Sequence, residues 1–165
     1  MAAPIIWVVD TSSVAESRRS IENTKKKQVF ESMGTLVSDG RIVFTKQVVG
    51  ELERAADAGS PDPQYLWAKQ HSAKATEHAP SFEEVKGILS AVPTVLDPDK
   101  DAGAEEADPY LLALAVRLRG EGKDARIVTE EIRDTPRKMS LNTACGLLGV
   151  PSVPLKAFLR FEGII

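Results

Sequence analysis

Ile5-Ile6-Trp7-Val8-Val9-Asp10-Thr11-Ser12-Ser13 is the stretch that decides the fold. The apolar run from Ile5 to Val9 is rich in β-branched side chains and lacks the alternation of a half-wetted strand. It therefore reads as a central strand buried on both faces, of the kind found in parallel sheets. Thr11, Ser12 or Ser13 can cap a following helix, which places Asp10 at the carboxyl end of the strand.

Working outward, strand and helix patterns alternate along the chain. A helix is expected over about residues 24–37, with Val29, Met33, Leu36 and Val37 on one side, and Asp39-Gly40 ends it. Arg41 to Phe44 reads as a second strand, after which Thr45 caps a helix carrying Val48, Val49 and Leu52. Gly59 to Pro63 is a loop, two helices follow over about 65–75 and 81–90, and Thr94-Val95-Leu96 reads as a short strand. An acidic loop from Asp97 to Glu106 leads to Asp108-Pro109, which looks like the N-cap and first position of the most apolar helix, running to Gly120. Arg126 to Thr129 is another buried-type strand; a helix over 139–148 stops at Gly149, a small strand falls in 150–155, and a terminal helix holds Phe158, Leu159 and Phe161. Strands separated by helices imply parallel pairing through right-handed crossovers, hence an α/β fold: a three-layer α/β/α sandwich around a central parallel sheet. One domain is expected over 1–165, with residues 61–92 as a helical insertion or lid.

Composition narrows the function classes. The chain has 165 residues, 42% hydrophobic and 27% charged, enough for one well-buried core. With 24 acidic against 21 basic residues the net charge is −3, which argues against coating nucleic acid by bulk charge. Local basic clusters remain: Arg18, Arg19, Lys25, Lys26 and Lys27, and then Arg133, Arg137 and Lys138. Each reads as a solvated face or as a local basic rim around an acidic centre. A single cysteine, Cys145, permits no internal disulfide and suits a reducing compartment. The leading apolar run is too short for a signal peptide or a membrane span, so a cytoplasmic protein with no membrane partner is expected.

In an open parallel sheet, functional groups collect beyond the carboxyl ends of the strands. Asp10 follows the first strand, Glu130 and Glu131 follow the strand ending at Thr129, and Asp108 heads a helix expected to pack nearby. Glu51 lies on the helix after the second strand, where helical geometry does not choose between it and Glu53. No lysine or histidine belongs to this set as read from the sequence. Carboxylates brought together repel, and a divalent cation is the simplest way to stabilise them. Oxygen-only ligands suit Mg²⁺ or Mn²⁺.

Taken in order, four stretches resemble the PIN-domain superfamily: Val8-Val9-Asp10-Thr11-Ser12-Ser13, Val48-Val49-Gly50-Glu51-Leu52, Ala107-Asp108-Pro109-Tyr110-Leu111-Leu112-Ala113-Leu114-Ala115, and Val128-Thr129-Glu130-Glu131. The resemblance spans nearly the whole chain. Its fourth motif ordinarily has aspartate where this chain has Glu131, and the nearest likeness is to a PIN-like bacterial branch with a Thr-Glu-Glu signature. The resemblance implies a metal-dependent ribonuclease of the VapC-like kind, many of which are toxins of toxin–antitoxin pairs. On that reading Asp10, Asp108 and Glu131, with Glu51, form the catalytic set and hold one or two Mg²⁺ or Mn²⁺ ions, Glu130 being the alternative ligand, while Ser12 orients Asp10. RNA is the implied substrate, with Arg18, Arg19, Arg133, Arg137 and Lys138 as its basic contacts. A small antitoxin-type partner and a homodimer are further expectations. The alternative is a PIN-like module that binds protein or RNA without catalysis.

Competing signals are weaker. Asp97 to Gly103 imitates a calcium loop, but its glycine comes one residue late and the closing bidentate glutamate is missing. His71 and His78 read as surface histidines and Cys145 as core. A phospho-acceptor role for Asp10 lacks the partner residues that chemistry needs, since Ser12 stands where a second aspartate would be required.

Overall fold

The computed structural model describes residues 3–56, 62–99 and 105–165. The beginning of the 61–92 stretch, most of the Gly59–Pro63 loop and the glycine end of the calcium-like loop lie outside the described residues. Four strands form one all-parallel sheet: β1 (Ile5–Val9), β2 (Ile42–Val43), β3 (Asp124–Val128) and β4 (Ser152–Val153), in the order β2-β1-β3-β4. β1 pairs along its whole length with β3, from Ile5 opposite Asp124 to Val9 opposite Val128, while Trp7 faces Ile42 on the other side. The run read as a central strand is central, and Val8 and Val9 are fully buried.

Among the described residues eight helices flank the sheet, giving one α/β domain of the three-layer kind: α1 (Thr11–Ser20), α2 (Lys26–Ser38), α3 (Lys46–Ala55), α4 (Pro63–Ala75), α5 (Phe82–Ala91), α6 (Ala107–Gly120), α7 (Leu141–Leu148) and α8 (Leu155–Phe161). α6 is apolar around most of its girth; Leu111, Leu112, Leu114, Ala115 and Leu118 are all buried, while Val116 near its C-terminal end is exposed. It packs on β1 and β3 and also meets α3, α5 and α7. That placement brings its first turn to the carboxyl end of β1. α4 and α5, inside the 61–92 stretch, bury Trp67, Ala68, Val85 and Ile88 in the common core.

Several local readings are corrected. Thr94-Val95-Leu96 is no strand: Pro93–Val95 makes one 3₁₀ turn, closed by Val95 N–H donating to Val92 O at 3.2 Å. Pro93 lacks the N–H a ladder would use and is preset for a helical first turn. Asp108 is not the N-cap of α6. Glu106 occupies that position and Asp108 sits within the first turn, because Glu51 Oε2 takes the Ala107 N–H at 3.3 Å and the helix starts earlier. Ser140 caps α7 by accepting from Thr143 N at 3.1 Å, so that helix begins at Leu141. Gly149, at φ 71°, ends it in the left-handed conformation that glycine adopts without strain.

The C-terminal helix is tied to the central strand by a polar clamp. Arg41 donates to both oxygens of Glu162, at 2.6 and 2.7 Å, and Trp7 Nε1–H donates to Oε2 at 3.1 Å. The Trp7 ring meets Phe158 and Phe161 edge-on, with centroids 5.0 and 5.6 Å away. Burial pushes the Glu162 carboxyl up, but the Arg41 and Trp7 donors outweigh it and hold the group below its ordinary value. A carboxylate with a lowered native pKa adds stability above its unfolded pKa and loses it as pH falls through the native one. Glu162→Gln should therefore cost about 2 kcal/mol at pH 7. In paired urea titrations the gap between wild type and variant should close as the pH is taken down toward 3.

Candidate metal centre

The site begins with Asp10, and the backbone explains why its side chain is available. Asp10 N–H extends the sheet by donating to Val128 O at 2.9 Å, and Asp10 O accepts from Ser13 N at 3.1 Å to start α1. The residue thus fills the N-cap position, yet its carboxylate makes no capping bond. Oδ2 instead accepts from Ser12 Oγ at 2.7 Å and Thr129 Oγ1 at 2.8 Å. Those hydroxyls are themselves held: Ser12 Oγ accepts from Glu130 N at 3.0 Å, and Thr129 Oγ1 from Glu131 N at 3.0 Å. The end of β1 and the loop after β3 are stitched together through one carboxylate oxygen.

Asp108, from the first turn of α6, and Glu131, two residues beyond Thr129, complete a group of three. One ligand oxygen from each of Asp10, Asp108 and Glu131 lies within 4.8 Å of the others. Asp10 and Asp108 are only 3% and 7% exposed, while Glu131 is half-buried. Burial raises the Asp10 carboxyl to about 6, opposed by the Ser12 and Thr129 donors and helped by the charges of Glu131 and Glu51. Asp108 is raised well above its ordinary value, first by burial and then by Asp10 and Glu131, against the pull of Lys138. Such a donor set, oxygen-only, could hold a metal ion. Among the described residues no histidine or cysteine joins it.

Glu51 lies on the wall of the same open cleft, about 440 Å³ in volume, but in a different role. Its Oε1 accepts from Thr11 Oγ1 at 2.6 Å and its Oε2 from Ala107 N at 3.3 Å, so it joins α3 to the starts of α1 and α6. It is not within ligand spacing of all three acids. Glu130, the alternative ligand, turns away: its Oε1 accepts from Leu155 N at 2.6 Å and caps the start of α8. Alternating residues after a strand point to opposite sides, and here one glutamate serves a helix while its neighbour faces the cleft.

The basic residues divide sharply. Arg18 pairs with Asp62 at 2.8 Å, Arg19 with Glu16 at 3.2 Å and Arg137 with Asp99 at 2.8 Å; Arg133 is exposed. None of these four lines the cleft. Lys138 does, and it overturns the reading of a cluster without a lysine. Its ammonium donates to Asp108 Oδ2 at 3.0 Å, to Glu131 Oε1, and to Met139 O at 3.3 Å. Burial alone would lower the Lys138 pKa, but Asp108 and Glu131 outweigh it and hold the ammonium above its ordinary range. Arg54 also reaches the cleft wall, donating to Glu105 O at 3.2 Å. Its place three residues after Glu51 on α3 was a usable signal, since such residues share a helix face. Thr129 carried a weaker one as the polar residue closing a buried strand.

Separate substitutions distinguish the two glutamates. Glu131→Gln should weaken Mn²⁺ binding, measured by calorimetry, by about tenfold or more. Glu130→Ala should leave that affinity within about threefold and instead lower stability by about 1 kcal/mol through the lost α8 cap.

No curated protein and no solved structure matches the chain. Residues 7–164 match the family model described as "Domain of unknown function (DUF4411)", and the chain belongs to that family.

Proposed function

We propose that this protein is a PIN-type, divalent-metal-dependent ribonuclease that hydrolyses RNA phosphodiester bonds. The observation that carries the reading is the trio of buried Asp10 and Asp108 with half-buried Glu131, whose ligand oxygens lie within 4.8 Å of one another at the carboxyl end of a parallel sheet. These three would hold Mg²⁺ or Mn²⁺. The chemistry such an ion supplies when bound is a water of lowered pKa and charge neutralisation at the scissile phosphate. Ser12 and Thr129 orient Asp10 and, against the effect of burial, favour the ionised form a ligand requires. Glu51 fixes the distance between α3 and the start of α6, and so positions Asp108. Arg54, on the cleft wall, offers positive charge to a phosphate strand. The four-motif likeness to PIN domains adds the same function class and a toxin role with a small inhibitory partner, and the single cysteine, Cys145, suits a cytoplasmic setting.

One observation favours a second reading. Lys138 already compensates Asp108 and Glu131, as it would in a PIN-like scaffold that binds protein or RNA without catalysis. The two are separated by incubating the protein with single-stranded and hairpin RNA in Mn²⁺. The nuclease reading expects cleavage that chelation abolishes and that Asp10→Asn lowers by at least about a hundredfold, in line with removal of a central catalytic group. Intact RNA after incubation with protein that demonstrably binds Mn²⁺ would leave the binding module.

A further inference from the structure

Lys138 reaches the acidic cluster from a short, well-anchored turn. Thr135 and Lys138 are bridged by Thr135 N–H donating to Lys138 O at 2.9 Å and Lys138 N–H donating to Thr135 Oγ1 at 3.1 Å. Met139 N–H donates to Thr94 O at 2.8 Å, and Asp134 accepts from Ser140 N at 2.8 Å and Thr143 Oγ1 at 3.2 Å. The backbone is thus tied to the 3₁₀ turn on one side and to α7 on the other. The side chain is only 18% exposed, and its ammonium meets two of the three acids that could take a metal.

We propose that Lys138 sets the metal affinity of this site by competing, as a resident cation, for Asp108 and Glu131. The proposal rests on the metal-centre reading above. A Mg²⁺-sized ion approaches a carboxylate oxygen to about 2.1 Å. With Lys138 Nζ 3.0 Å from Asp108 Oδ2, an ion on that oxygen would face an unscreened positive charge about 5 Å away or less. Both cations also call on the same Glu131 carboxylate. The compact ammonium sits on a flexible four-carbon stem, so it can swing out of the cluster while the turn stays in place. Ion binding is then an exchange of one cation for another. The chain holds its acids together without metal and admits an ion only above a concentration that Lys138 dictates.

Calorimetric Mn²⁺ titration at one fixed pH of wild type, Lys138→Met and Lys138→Arg tests this. Lys138→Met keeps the apolar stem without the charge and should bind at least about tenfold more tightly, while Lys138→Arg should stay within about threefold of wild type. Equal or weaker binding by Lys138→Met, with wild type binding normally, overturns the competition and leaves the metal centre standing. Failure of both wild type and Lys138→Met to bind overturns the metal reading and the competition together. A second measurement needs no variant: limited acetylation of wild type, read by peptide mass spectrometry against exposed Lys86. Saturating Mn²⁺ should speed labelling of Lys138 several-fold relative to Lys86; unchanged labelling in Mn²⁺-bound protein overturns the proposal even if Lys138→Met does not fold.

Discussion

Like charges forced together at the end of a sheet are the constraint on which this structure turns. At a spacing of 4.8 Å, two full negative charges repel by roughly 3 kcal/mol at an effective dielectric of about 20, and Asp10, Asp108 and Glu131 offer three such pairs. Burial adds a desolvation cost for Asp10 and Asp108. A fold under selection for stability alone would place apolar residues there, as replacing buried ionic groups often does no harm. The surroundings instead spend their hydrogen-bonding groups on keeping the acids in place: two hydroxyls on Asp10, and an ammonium between Asp108 and Glu131.

The arrangement is economical in how it joins secondary structure to chemistry. Ser12 and Thr129 each accept a backbone N–H from the loop after β3 and donate to the same Asp10 oxygen, so strand pairing and site geometry are set by the same atoms. Glu51 and Glu130 perform parallel duties at the starts of α6 and α8, satisfying N–H groups that a helix leaves unpaired. Carboxylates near the site therefore fall into two populations. Some organise the helices that frame the cleft, and three converge within it.

Lys138 links the electrostatics to the chain's connectivity. It compensates charge contributed by α6 and by the loop after β3, yet arrives from the turn that precedes α7.

Much of the architecture was legible in the chain itself, because buried parallel strands and amphipathic or wholly apolar helices leave local signatures. The Ile5–Val9 run, the strand ending near Thr129, the apolar α6 and the stop at Gly149 all depend on side-chain pattern within a few residues. The placement of Asp10 and of the Glu130-Glu131 pair beyond strand ends followed from parallel topology. Local pattern misread Thr94 to Leu96, where Pro93 overrides β-branched preference, and Asp108, where a distant carboxylate moved the helix start. The motif likeness favoured Glu131 over Glu130, and the tertiary structure supplies the physical reason, since Glu130 is claimed by the N–H of Leu155. Tertiary structure alone brought Lys138 in, seven residues beyond Glu131, through a turn whose path is set by Thr94 and α7. Spacing along the chain carries no record of such contacts, because the energy that fixes them comes from charge and hydrogen bonding between elements that meet only in the folded state.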